Sequence, residues 1–219
     1  MIETGSVSGW QGLFKTAAQP AARGKFLSRL FGIFSEEIVA MWATDGRAPY
    51  ENLGRPTIRT MGESRGHTLD FTFRERSSGR VFVAEMKCEI EFQRFRYFVL
   101  ERVEQLAHHG KPAFAALLAA ARRSSEQTVH IRGTPVAVEG AILVWGAATS
   151  EGRQTVRDAH GFHDVLTIEN ICSDLAAWKH EGYFTLLSER QQWCSELFSG
   201  LRAGGAALST SGLDRDGKS

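Results

Sequence analysis

Residues 68–75 read TLDFTFRE, residues 76–79 RSSG and residues 80–88 RVFVAEMKC. Leu69, Phe71 and Phe73 alternate with Thr68, Asp70 and Thr72, which is the period of a strand. The turn Arg76-Ser77-Ser78-Gly79 returns the chain into Arg80–Cys88, so the spacing predicts a β-hairpin. Glu85 and Lys87 lie two apart and share a face of the returning strand. Whether Asp70 joins them depends on the loop. An even loop sets Asp70 directly opposite Glu85, whereas an odd one pairs it with Met86 and turns the two acids to opposite faces. A four-residue loop is favoured because Gly79 can take a left-handed backbone. Directly opposed side chains stand about 5 Å apart at Cβ.

Two bare carboxylates at that separation repel, and one is driven toward protonation unless a cation intervenes. A magnesium ion, with manganese as its substitute, resolves the conflict, because it takes hard oxygen ligands and keeps several waters. Asp70 and Glu85 are then metal ligands, and Lys87 assists an attacking water. The competing reading is an ordinary hairpin with a solvated, salt-bridged face. Against it, Val81 and Val83 share the face of Glu85 and Lys87, while Phe82, Ala84 and Met86 fill the other. Such a strand is buried on both sides, where a charge is costly unless paired or metal-bound.

Outward from the hairpin, Leu27, Leu30, Phe31, Phe34, Ile38, Met41 and Trp42 recur at three and four and predict a helix over 24–44. Residues 45–66 are rich in Gly and Pro and read as loop, with a short strand over 56–61. Helical spacing resumes from Phe92 to Leu106, and a second helix is expected from Pro112 to Arg123. Strands are expected over 128–132, 136–146 and 164–169, the middle one carrying the continuous apolar run Ala141–Trp145 of a buried central strand. Helices follow over 173–180 and 189–199. Residues 1–23 read as a partly ordered lead-in, 24–199 as one α/β domain, and 200–219 as a disordered tail. The order of elements predicts an α/β fold with a central mixed β-sheet flanked by helices.

The chain has 219 residues and a formal charge of +1, so it is no polybasic binder held to phosphate by bulk charge. Its cations are 20 Arg and 6 Lys, and the arginine fork suits contact with phosphate. The three cysteines lack metal-ligand spacing, and no apolar run reaches membrane-spanning length. These features predict a cytoplasmic protein with no membrane partner.

Thr68-Leu69-Asp70 and Val83-Ala84-Glu85-Met86-Lys87, preceded by a helix and followed by a helix and a buried strand, resemble the PD-(D/E)xK nuclease superfamily. The resemblance covers residues 24–170 and implies a restriction endonuclease-like core. It also implies a magnesium-dependent deoxyribonuclease in which Asp70 and Glu85 hold the metal and Lys87 assists water. Leu69 stands where the motif's name has proline. Many members add a glutamate from the first helix; the predicted phase puts Glu37 at the edge of the apolar stripe and Glu36 in solvent. Gln93 or Gln105 would take the supporting glutamine role of exonuclease-like members. Arg74, Arg94 and Arg96 are candidate phosphate contacts. The expected partner is nucleic acid, DNA above RNA, and cleavage of both strands of a duplex would favour a homodimer. The alternatives are a catalytically inactive nucleic-acid-binding or assembly module of the same fold, or an enzyme acting on other phosphate esters.

Overall fold

Helix α1 (Phe26–Thr44) buries small residues as much as large ones: Ser35, Val39 and Ala43 line its inward face together with Ile38 and Trp42. The computed structural model describes Trp10, residues 26–87 and residues 97–210. After α1 come the strands β1 (Tyr50–Asn52), β2 (Pro56–Thr60), β3 (His67–Thr68), β4 (Phe71–Glu75), β5 (Val81–Lys87) and β6 (Val99–Leu100). Helix α2 (Pro112–Arg122) leads into β7 (Gln127–Ile131), β8 (Thr134–Val136), β9 (Gly140–Trp145) and β10 (Ala147–Ala148). Helix α3 (Ser150–His160), β11 (Asp164–Thr167), α4 (Ile168–Ala177) and α5 (Glu181–Thr210) complete the order. The chain divides into two units, residues 1–175 and 176–219, the second carrying α5. Among the described residues no helix is long and apolar enough to cross a membrane.

The fold is α/β, with a mixed sheet flanked by helices. The five-stranded sheet runs β1-β4-β5-β9-β11. Its first pairings are antiparallel, and β9 and β11 then add in parallel. A parallel neighbour requires a crossover, and α2 lies in the connection from β5 to β9. Phe114 and Leu117 of α2 cover one face, packing into a cluster with Val83, Leu143 and Trp145. On the other face Trp42 of α1 meets Tyr50, whose ring meets Phe73. Every residue of β9 is buried, as expected of a strand covered on both sides.

A second sheet, β3-β2-β7-β8, departs from the predicted pattern. The alternating stretch 68–75, read as one strand, is split: His67–Thr68 pairs with β2, and Phe71–Glu75 with β5. Likewise 136–146 is two strands in two sheets, β8 ending at Val136 and β9 beginning at Gly140. An alternating pattern records which face is buried but not which neighbour is paired, so a switch of sheets leaves no mark in it. The helix expected over 92–106 is corrected in its described part, which is a turn, β6 and a 3-10 turn at Val103–Leu106. Helix α3 carries only Gly152 and Val156 as buried residues, too thin an apolar stripe to be read from sequence. Helix α5 continues to Thr210, past the predicted end at Ser199.

Candidate metal centre

The hairpin register is the one that brings the acids together. Phe71 faces Ala84, Thr72 faces Val83 and Phe73 faces Phe82, so one step further Asp70 stands opposite Glu85. The loop has four residues: the Glu75 amide donates to the Arg80 carbonyl at 2.8 Å, and Gly79 takes φ +74°. Glu75 locks this end. Its carboxylate accepts from the Ser78 hydroxyl, from Arg80 at 2.9 Å, and lies 3.3 Å from Nε2 of His163. The Ser78 and Arg80 bonds hold its carboxyl down at about 2.

A depressed carboxyl stabilises the fold above its unfolded value near 4.5 and loses that contribution as pH falls toward about 2. Glu75→Gln is therefore expected to flatten the acid limb of the stability curve between those values. Urea melts across that range check it, and an unchanged limb would refute it.

At the other end of the hairpin the ladder stops at Phe71, because the Leu69 amide turns away to the Pro56 carbonyl at 3.1 Å. The Asp70 side chain takes over: its Oδ2 accepts from the Met86 amide, the next amide in that row, at 2.9 Å. Glu85 is 6 % exposed. Lys87 donates to its Oε1, while Oε2 is buried with no hydrogen-bond partner. Burial pushes the Glu85 carboxyl up and the charge of Asp70 adds to the rise, while Lys87 and the backbone amide of Asp70 oppose it. Lys87 also donates to the Met86 carbonyl at 3.3 Å and stands 5.9 Å from the centre of the Phe114 ring.

Glu36, placed in solvent by the predicted phase, is a helix acid turned toward this cluster. Arg55 reaches both sides, with Nη1 3.5 Å from Glu36 Oε2 and Nη2 3.3 Å from Asp70 Oδ1. Burial raises the Glu36 carboxyl, the charge of Asp70 raises it further, and Arg55 and Lys87 oppose. The predicted phase erred because it followed Phe34 and Met41, which are only half-buried, and ignored buried Ser35, Val39 and Ala43. At about 100° per residue, that turns the helix by roughly one position. Glu36 thereby flanks the buried face.

Gln105 is buried, but its amide is committed to the main chain. Its Oε1 accepts from the amides of Glu101 and Arg102 at 2.7 and 2.8 Å, and its Nε2 donates to the Val99 carbonyl at 2.9 Å. These bonds replace the helix predicted here. Gln105→Ala should cost about 1–3 kcal/mol and deprotect the Glu101 and Arg102 amides in hydrogen exchange. Unchanged protection would contradict this role. Gln93, Arg94 and Arg96 lie outside the described residues. Arg74 pairs with Glu51 at 3.4 Å, four residues along β4 from Asp70 and so roughly 13 Å away. Arg76 donates to the carbonyls of Ala48 and Ala43 at 3.1 and 3.2 Å, closing the end of α1.

Compared with family models, curated proteins and solved structures, the chain matches none. Among the described residues no group of three His, Cys, Asp or Glu side chains could hold a metal ion. The centre therefore rests on two carboxylates across a strand pair, a lysine beside one of them, and an arginine that links the other to a third acid. The sequence reading places Glu36 in solvent and does not single out Arg55. His109 is half-buried, its ring 5.0 Å from Phe114 and 5.6 Å from Trp145, and burial holds it down at about 3, with Lys87 among the lesser causes. It is neutral at pH 7.

Proposed function

We propose that this chain is a magnesium-dependent nuclease with a restriction endonuclease-like core of the PD-(D/E)xK superfamily, cutting phosphodiester bonds in DNA. The observation that carries the reading is Glu85: a carboxylate 6 % exposed, opposite a second carboxylate, with one oxygen bonded to Lys87 and the other lacking a hydrogen-bond partner. A buried orphan oxygen is costly. A hard cation that takes carboxylate oxygens and keeps its waters fits such a place. Asp70 and Glu85 would hold it, with Glu36 in support. Bound magnesium supplies charge stabilisation to the phosphoryl group and acidifies a water.

The protein's own groups supply the rest. The Met86 amide fixes Asp70, so this carboxylate is oriented before any ligand arrives. Lys87 shares the face of Glu85, where its ammonium can orient a water and offset charge growing on the phosphate. The sheet order, with α2 crossing between β5 and β9, also fits this core.

One observation favours the inactive binding module instead: Arg55 and Lys87 give Asp70 and Glu85 cation partners within the chain. Nicking of supercoiled plasmid separates the two. Wild type is expected to nick with Mg²⁺ or Mn²⁺ and to stop on chelation. Binding of DNA without nicking under any divalent ion would favour the module.

A further inference from the structure

Arg55 lies on the loop between β1 and β2, following Gly54 at φ +112°, whose amide is held by Asn52 Oδ1 at 2.9 Å. Its side chain is 58 % exposed, yet its two terminal nitrogens divide between Asp70 at 3.3 Å and Glu36 at 3.5 Å. Arginine keeps its charge at any pH at which the protein folds. Asp70 thus shares with Glu36 a cation that the fold itself delivers. The Glu36 pair is long and exposed on both sides and contributes little, whereas the Asp70 carboxylate is only 14 % exposed, so its pair with Arg55 is less screened and has to be given up before another cation binds there. A divalent ion on Asp70 would meet that positive charge at contact range, and like charges cannot share the carboxylate at low cost.

We propose that Arg55 is a built-in counter-cation of the metal centre, clamping Asp70 to Glu36 in the metal-free protein and competing with the divalent ion for Asp70. This rests on the reading of Asp70 and Glu85 as metal ligands. The competition sets the metal affinity of the site lower than its carboxylates alone would give. With Lys87 it offsets two of the three carboxylate charges of Asp70, Glu85 and Glu36 when no metal is bound.

Titration calorimetry of Mn²⁺ into the full chain tests it with wild type, Arg55→Ala and Arg55→Lys. Removing the guanidinium should tighten Mn²⁺ binding about tenfold, the order expected of one unit charge acting through water on a nearby divalent ion. Arg55→Lys keeps the charge and should stay near wild type. Far-UV circular dichroism establishes that each variant is folded. If wild type binds Mn²⁺ and Arg55→Ala binds it equally or more weakly, the competition is refuted while the metal centre stands. If none of the three binds, the metal centre fails as well.

Discussion

Glu85→Gln should lower metal-dependent nicking by about a hundredfold or more while leaving the protein folded, since the amide keeps the shape and an acceptor for Lys87 but not the charge. The same substitution has a stability signature. Burial raises the Glu85 carboxyl above its ordinary value near 4.5, so the unfolded chain loses that proton first as pH climbs. The sign follows: Glu85 favours the fold below that value, and its contribution falls as pH rises through the raised one. The variant should lack this decline. Nicking rates, with urea melts at pH 5 and pH 7.5 in chelator, read both effects. Wild-type rates in the variant would sink the assignment of Glu85.

Gly152→Ala should destabilise the protein by about 1–3 kcal/mol, the reverse of the roughly 1 kcal/mol gain that alanine brings to an unhindered helix. A Cβ there would lie 2.3 Å from the Leu100 carbonyl oxygen and 2.7 Å from Glu101 Cα. Both are backbone atoms, and neither can swing aside. Leu100 is held in β6 against Ala148, and the Glu101 amide is bonded to Gln105. The Gly152 amide itself donates to the Thr149 hydroxyl at 3.0 Å, which starts α3. Substitution therefore pushes the first turn of α3 off the segment that Gln105 knots. Urea unfolding measures the loss; a variant as stable as wild type would show that the contact yields freely.

The core of the candidate centre was legible because it is local. A four-residue loop ending in Gly79 and a period-two pattern suffice to set Asp70 opposite Glu85. The central strand was equally plain, since Ala141–Trp145 is a short apolar run without a polar break, as a strand buried on both faces carries. What depended on tertiary placement was not legible. Arg55 reaches Asp70 from a Gly- and Pro-rich loop whose path no periodicity records. Glu36 was passed over because Ser35 and Ala43, though buried, carry no hydrophobic signal. The switch of sheets between Thr68 and Phe71 hid in an unbroken alternation, although it is this switch that ends the ladder and frees the Asp70 side chain to bond Met86. Helix α3 has good boundary residues, the Thr149 cap and Gly161 at φ +77°, but its polar composition leaves no apolar stripe to mark it.

The most direct test of the centre is titration of Mn²⁺ into wild type and Asp70→Asn. The account predicts saturable binding by the wild type, weakened at least about tenfold in the variant, because Asp70 is both a ligand and one of the carboxylate charges that attract the ion. No binding by the folded wild type, or equal binding by Asp70→Asn, would contradict it.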